Sequence, residues 1–170
     1  MPPKARPSAP SISVAERRAF EATRDATTLQ LLFKAARLAN ERALARAAAD
    51  PARPPVRAAH TALFPHLDFA GIRLTDLAAR VGVSKQAVGQ LVDDLAAHGM
   101  VERVSDPDDK RARRIRFSRR GHAALLQGLG VLREIEDALA AAVGKRRMRE
   151  LNETLSLVIR ALEAPGDQVR

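Results

Sequence analysis

Basic side chains dominate one stretch of this 170-residue sequence. Between residues 110 and 120 no acidic residue occurs, and the bases there are Lys110, Arg111, Arg113, Arg114, Arg116, Arg119 and Arg120. Lysine and arginine carry positive charge and donate hydrogen bonds to phosphate oxygens. Such a run indicates either a phosphate partner or a solvated surface. Just before it, Asp106, Asp108 and Asp109 fit turn formation and pairing with these bases better than contact with DNA.

A second group of hydrogen-bonding side chains lies at the start of a predicted helix. Ser84 is a favourable N-cap, and the apolar face of the helix after it consists of Val88, Leu91, Val92 and Leu95. That face leaves Lys85, Gln86 and Gln90 pointing outward in the first turns. In the major groove glutamine pairs with adenine, and lysine pairs with guanine or phosphate. The surface therefore favours a helix that reads DNA over a merely solvated polar face.

The charge balance agrees with a polyanionic partner. The chain has 29 Lys and Arg against 20 Asp and Glu, a net charge of +9 and a sequence pI of about 11.2. Nucleic acid and an anionic membrane surface are both possible partners, and the position of the bases beside the predicted reader helix favours nucleic acid. No apolar run approaches the roughly 20 residues that span a bilayer, and the first residues lack the apolar segment of a secretory signal. We expect a soluble, cytoplasmic protein.

The sequence carries no constellation typical of an enzyme. It has no cysteine, which excludes disulfides, thiolate metal sites and thiol redox switches. It has neither a glycine-rich phosphate loop nor metal-ligand spacing, so we expect no catalytic activity and no cofactor. The four histidines, His60, His66, His98 and His122, are scattered. A zinc sensor would need them to converge in the tertiary structure, and structural or exposed roles are the simpler interpretation.

The apolar periodicity predicts a mainly α protein with a small β-hairpin. Residues 1–12 have the composition of a flexible basic tail, and a long helix is predicted from about Ser13 to Ala49, where prolines end it. Shorter helices at about Val56–Phe64, Thr75–Val81 and after Ser84 precede two predicted strands around residues 100–104 and 114–117. Two long amphipathic helices follow, the first capped by Ser118 and ended by Gly144, and residues 164–170 form a tail.

The spacing of Ala78, Gly82 and Val88 is that of a helix-turn-helix. A small residue lies where the helices cross, a glycine forms the turn, and a branched residue fixes the second helix. Leu77, Val83 and Leu91 are predicted to fill the core positions between them. An ordinary helical hairpin has a similar pattern, but the strand hairpin that follows favours a winged helix.

The segment from Leu74 to Gly121 resembles the core of the MarR (multiple antibiotic resistance regulator) family. The similar features are Leu74-Thr75, the strand from Gly99 to Arg103, the wing Asp-Pro-x-Asp-Lys-Arg from Asp106 to Arg111, and Ser118-x-x-Gly121. The resemblance implies a winged helix-turn-helix at residues 55–121 and a helical dimerisation region at residues 13–50 and 122–163.

The resemblance also implies a bacterial regulator that binds a pseudo-palindromic double-stranded DNA operator as a homodimer. Ser84, Lys85 and Gln86 would meet the major groove, and the wing arginines would meet the minor groove. The full set of expected DNA-binding residues is Arg73, Thr75, Ser84, Lys85, Gln86, Gln90, Lys110, Arg111, Arg113 and Arg114. The expected dimerisation residues are Leu29, Leu32, Leu151, Leu155, Ile159 and Leu162.

The resemblance further implies a repressor that leaves DNA when it binds a ligand. In several family members that ligand is a small aromatic or phenolic anion. Such an effector would lie between the dimerisation helices and the winged domain, where Phe33, His60 and Phe64 are candidate lining residues. The alternative function is a winged-helix protein-interaction module without a DNA role. The arginine-rich wing disfavours it, because a protein-binding wing does not need so dense a run of positive charge.

Overall fold

The computed structural model describes residues 12–164. Residues 1–11 of the predicted N-terminal tail and residues 165–170 of the predicted C-terminal tail lie outside the described residues. The chain divides into two compact units, and the boundary between them falls between Ala39 and Asn40. Each unit is described separately below.

The first unit consists of helix α1 (Val14–Ala26) and most of helix α2 (Thr28–Ala48). Ser13 begins α1 with a capping box, in which its Oγ accepts from the backbone N–H of Glu16 at 3.2 Å and the Glu16 carboxylate accepts from Ser13 N–H at 2.8 Å. The single helix predicted for this stretch is interrupted at Thr27. Thr23 and Thr27 both donate their hydroxyl hydrogens to the carbonyl four residues earlier, a local bond that competes with the helix and often bends it.

The second unit begins with the end of α2 and a proline-rich connection. Helix α3 (Ala58–Thr61) is followed by a 3-10 turn, Phe64–His66. The helix predicted over Val56–Phe64 is therefore shorter than expected. Pro65 lies within the 3-10 turn, which leaves only a short α-helical stretch before it.

Helices α4 (Leu74–Val81) and α5 (Lys85–Ala97) form the predicted helix-turn-helix. Gly82 ends α4 in the left-handed conformation, with φ of 75°, which favours glycine because it has no side chain to clash. Leu77, Val88 and Val92 are fully buried. The prediction that Val83 fills a core position is wrong, since this side chain is 45% exposed in the turn.

The start of α4 differs from its prediction as well. Thr75 was expected as a capping residue, but the helix already begins at Leu74 and its N-cap is Arg73. Arg73 belongs to a short strand, β1 (Ile72–Arg73), that the periodicity did not predict. Because β1 pairs with another strand, its extended backbone leads directly into the helix and no side-chain cap forms.

Strands β2 (Val101–Ser105) and β3 (Arg113–Phe117) form the predicted hairpin. With β1 they make a three-stranded antiparallel sheet in the order β1-β3-β2. In the register, Val101 faces Phe117 and Arg103 faces Ile115. The inward side chains of the sheet join those of the helix-turn-helix in one core. Its buried members are Leu63, Leu67, Ile72, Leu77, Ala78, Val88, Val92, Leu95, Met100, Val101, Ile115 and Phe117.

Helix α6 (Arg119–Val143) follows strand β3, and its first turn lies close to the backbone of Met100. Ser118 caps it, because its Oγ accepts a hydrogen bond from Gly121 N–H at 2.9 Å. A Cβ atom at position 121 would lie 1.7 Å from the carbonyl oxygen of Met100. Only glycine fits there, which gives a physical reason for the Ser-x-x-Gly pattern.

Helix α7 (Lys145–Glu163) follows α6 after Gly144. No residue of α7 is buried in the described chain, and α6 buries only Gly121, Val131 and Ile135. Several large apolar side chains of the two helices stay exposed, among them Leu126, Leu129, Leu132, Leu151, Leu157, Ile159 and Leu162. Within residues 12–164, no helix combines the length and the apolar character needed to cross a membrane.

Candidate nucleic-acid interface

The N-terminal turns of α5 present a polar surface to solvent. Ser84 Oγ accepts a hydrogen bond from the backbone N–H of Ala87 at 3.2 Å and caps the helix. Val88, Val92 and Leu95 are buried on the opposite side. The exposed side chains at this end are the predicted Ser84, Lys85, Gln86 and Gln90. This arrangement is what a groove-reading helix needs, because its donors and acceptors are free to reach base edges.

Asp106 organises the wing. Its carboxylate is buried, with a side-chain exposure of 0%, and it accepts from Arg73 Nε at 2.6 Å and lies 3.0 Å from Arg114 Nε. These hydrogen bonds hold the pKa of Asp106 well below its usual range, although burial acts in the opposite direction. Arg114 also donates to Asp108 at 3.0 Å. Arg73 and Arg114, both predicted to bind DNA, are thus already paired with carboxylates.

The wing loop is closed by further carboxylate contacts. Asp106 accepts from the backbone N–H of Asp108 at 3.0 Å, and Asp109 accepts from the backbone N–H of Arg111 at the same distance. The backbone N–H of Ala112 donates to the Asp109 carbonyl at 2.9 Å. The acidic residues therefore shape the turn, as their positions in the sequence predicted, and fix the backbone from which Lys110 and Arg111 project.

The remaining bases of the wing divide into two groups. Arg116 pairs with Glu102 at 2.8 Å, and Arg103 pairs with Asp93 on α5 at 2.7 Å. Lys110 and Arg111 are exposed and form no ion pair within residues 12–164. Arg113 is exposed and donates only to Ser105 Oγ, at 3.0 Å. Within the described residues, the charges of the basic run without an ion pair are those of Lys110, Arg111 and Arg113 in the wing and of Arg119 and Arg120 at the exposed start of α6.

Thr75 lies at the exposed N-terminal turn of α4, where its hydroxyl donates to the Asp76 carboxylate at 3.3 Å. It is the remaining member of the predicted DNA-binding set. Since Arg73 precedes it by two residues and contacts Asp106, the wing and the first turn of α4 are joined by one ion pair.

A largely apolar cavity of about 340 Å³ lies within the second unit. It is bounded by the end of α2, the proline-rich connection, the 3-10 turn and α6. Its apolar lining includes Leu44, Val56, Phe64, Leu125 and Leu129. Arg53 also lines it, and the Nη1 atom of Arg53 is buried with no hydrogen-bond partner in the part of the chain that the structure describes.

The three candidate ligand-lining residues lie in different places. Phe64 lines the cavity. His60 is 1% exposed and sits against Asp94, with 3.1 Å between Nε2 and the carboxylate. Phe33 belongs to the first unit and is 65% exposed. The structure therefore brings Phe64 and Arg53 to one cavity, and it makes His60 a buried partner of α5.

Residues 58–112, which run from α3 to the wing, match the model of the MarR family. Over these residues, which make up most of the winged helix, the chain is similar to the MarR family. No curated protein matches the chain at a significant level. The likeness of fold extends beyond the matched residues, because solved structures, MarR among them, superimpose on most of the chain.

Three of these structures illustrate the likeness. The multiple antibiotic resistance repressor MarR is 19% identical, with a TM-score of 0.64 over 78% of this chain and 94% of its own. RV1404 from Mycobacterium tuberculosis is 21% identical, with a TM-score of 0.63 over 83% of this chain and 95% of its own. The transcriptional repressor CouR, solved with a 23-mer DNA duplex, is 18% identical, with a TM-score of 0.56 over 88% of this chain and 99% of its own.

Two features of the wing and of the apolar cavity were not predicted from the sequence. Asp106 was predicted to shape the turn and to pair with the wing bases, as it does with Arg114, but its pairing with Arg73 was not predicted. Its position at the end of β2, directly before Pro107, was the available signal. The sequence around Arg53 shows only that it lies between prolines. The burial of Arg53 could not be predicted, because it results from the packing of α6 against the proline-rich connection.

Proposed function

We propose that this protein is a sequence-specific DNA-binding transcription regulator. The single observation that carries the proposal is the exposed start of α5. Ser84 caps it and Lys85 and Gln86 are exposed, beside an ion-paired wing whose Lys110 and Arg111 are unpaired among the described residues. The similarity to the MarR family supports it, and CouR, which has this fold, has been solved bound to a DNA duplex. The first turns of α5 enter the major groove and the wing tip meets the adjacent minor groove.

The two surfaces have different tasks in this proposal. Gln86 and Lys85 contact base edges and supply discrimination between sequences. Lys110, Arg111 and Arg113 contact phosphates or the minor groove and supply affinity that depends strongly on salt. Arg73 and Arg114 hold the wing through Asp106 and contribute to DNA binding through that position.

The regulator acts as a homodimer on a pseudo-palindromic operator. The support is the apolar surface that one chain leaves exposed on α6 and α7, where Leu151 is 48%, Ile159 is 53% and Leu162 is 74% exposed. Large apolar side chains left exposed along two helices are typical of an interface. Leu29, at 53% exposure in the first unit, contributes in the same way, together with the half-buried Leu32 and Leu155.

A small aromatic or phenolic anion releases the regulator from DNA. The apolar cavity of about 340 Å³ has the size and lining of a small-molecule site. The buried Nη1 of Arg53 lacks a hydrogen-bond partner among the described residues, so a carboxylate or phenolate at this point would satisfy it. Phe64 supplies an aromatic wall.

A binding titration tests the DNA proposal directly. Duplexes that tile the region upstream of the gene are titrated with the protein and read by fluorescence anisotropy, with scrambled duplexes as competitors. The proposal expects one duplex bound at least about 10³-fold more tightly than scrambled DNA. Equal and weak binding to every duplex would contradict it and would favour a winged helix that binds protein.

A further inference from the structure

Helix α3 is joined to the reader helix α5 by a cluster of four charged or titratable side chains. His60 and Arg57 come from α3 and the residue that caps it, and Asp94 and His98 come from α5. The carboxylate of Asp94 lies 3.1 Å from His60 Nε2, contacts the Arg57 guanidinium and lies 3.8 Å from His98 Nδ1. Asp94 follows Gln90 by one helical turn, and both residues line the same surface cleft.

The hydrogen bond at His60 Nδ1 requires a neutral imidazole. His60 Nδ1 accepts a hydrogen bond from the backbone N–H of Arg57 at 3.2 Å. An imidazole that accepts at Nδ1 carries its proton on Nε2, and Nε2 lies 3.1 Å from the Asp94 carboxylate and 3.4 Å from Arg57 Nη2. One neutral side chain therefore closes the start of α3 and holds α5 at the same time.

Protonation of His60 would break its hydrogen bond with the Arg57 N–H. An imidazolium carries hydrogen on both nitrogens, so Nδ1–H would face the Arg57 N–H donor. The added charge would also lie beside the Arg57 guanidinium, although Asp94 would attract it. Burial lowers the pKa of His60, and the charge of Arg57 acts in the same direction against that of Asp94. Burial raises the pKa of Asp94, but Arg57, His60 and His98 outweigh it and the carboxyl stays charged.

We propose that His60 is a positioning residue for the reader helix: its neutral ring accepts from the Arg57 N–H at the start of α3 while it contacts Asp94 of α5, and protonation releases the α3 end of this connection. Acidification then loosens the joint between α3 and α5 and weakens DNA binding. The groups that face the ring are Arg57 from the start of α3 and Asp94 and His98 from α5. This inference rests on the proposed function in one respect, namely that α5 contacts DNA.

The sign of the pH effect follows from linkage. Because the pKa of His60 is lower in the folded protein than its ordinary value of 6.5, the unfolded chain binds more protons in the interval between the two values. The stability that neutral His60 provides is complete above pH 6.5 and is lost as the pH falls through that value toward the lowered pKa. Asp106 keeps its charge throughout this interval because its pKa is held far lower.

The experiment measures melting temperature and operator affinity of the full chain between pH 5.5 and 8 at constant salt. His60→Asn keeps an acceptor near the Nδ1 position, and His60→Gln keeps a donor toward Asp94, but neither titrates. His66→Asn is the matched control, because His66 lies in the neighbouring 3-10 turn and outside the cluster. If one His60 variant fails to fold, the other provides the comparison.

Between pH 8 and pH 5.5 we expect wild-type protein and His66→Asn to lose about fivefold or more operator affinity relative to the His60 variants, the lower end of a typical coupling between two sites. Their melting temperatures should fall more as well. Parallel affinity profiles for wild type and both His60 variants would overturn the inference even if melting temperatures differed. Absence of operator binding at pH 8 would overturn the proposed function itself, so the two failures are distinguishable.

Discussion

The Nε atom of Arg73 donates a hydrogen bond to the buried carboxylate of Asp106 across 2.6 Å. Arg73 immediately precedes the helix-turn-helix, and Asp106 begins the wing loop. The same carboxylate holds Arg114 of β3. The wing is therefore fixed to the start of α4 by one buried acidic residue, and bases that look equivalent in sequence have different roles.

The first prediction compares how much each of these bases contributes to the thermal stability of the protein. Arg73→Ala or Arg114→Ala removes a partner of the buried Asp106 carboxylate and should lower the melting temperature by a few degrees, because a buried charge without its partners is costly. Arg113→Ala is the matched control, since Arg113 is exposed and donates only to Ser105. Thermal unfolding followed by circular dichroism measures the difference. Equal melting temperatures for all three variants would contradict a stabilising role for the ion pairs of Asp106 with Arg73 and Arg114.

The second prediction concerns discrimination between DNA sequences. Gln86→Ala should cost roughly 1–3 kcal/mol on the operator and leave binding to scrambled DNA nearly unchanged. Arg113→Ala should weaken binding to both DNAs alike and reduce the salt slope by about 1. Arg111→Ala should fall between them, because a minor-groove contact reads groove width as well as charge. Salt titrations of each variant on both DNAs make the comparison. The same loss for Gln86→Ala on operator and scrambled DNA would mean that α5 is not the reader.

The third prediction concerns the homodimer. Leu162→Asp places a charge on a side chain that is 74% exposed in one chain, so it should leave the fold of each chain intact and weaken association. Asn152→Asp adds the same charge at another exposed position of α7 and is the control. Sedimentation velocity at micromolar concentration gives the oligomeric state. A wild-type protein that is a stable folded monomer under these conditions would contradict the dimer.

The fourth prediction concerns the cavity beside Arg53. Benzoate should raise the melting temperature of the wild-type protein in proportion to the logarithm of its concentration above its Kd. Benzamide, which has the same shape without the charge, should raise it much less, because it offers the Arg53 guanidinium no anion. In Arg53→Gln the difference between the two compounds should disappear. Equal shifts for benzoate and benzamide in the wild-type protein would remove the case for an anionic effector at this site.

The fifth prediction compares two glycines of α6. Gly121→Ala should prevent stable folding or cost several kcal/mol, because its Cβ would overlap the Met100 carbonyl. Gly130→Ala has open space around its Cβ and should stabilise the helix by about 0.5–1 kcal/mol. Denaturant unfolding measures both. Comparable stability of the two variants would show that α6 does not approach Met100 as described.

Local sequence patterns determined much of this protein. Ser84 and Ser118 cap their helices, Gly82 forms the left-handed turn between α4 and α5, and the hairpin follows from alternation on both sides of a turn. These features depend on neighbours a few residues away, so a single sequence contains the information. The exposed polar start of α5 follows from the same logic, because helical periodicity determines which side chains face outward.

Only the tertiary structure decided which charges pair. Arg73 meets Asp106 across 33 positions of the sequence, and His60 meets Asp94 only because α3 packs against α5. The cavity beside Arg53 likewise exists because α6 returns to the proline-rich connection. Composition and spacing cannot specify such contacts, since many carboxylates could serve each base. The packing of the helices and the sheet selects the partners of these bases, and among the described residues it leaves Lys110, Arg111 and Arg113 without an ion pair.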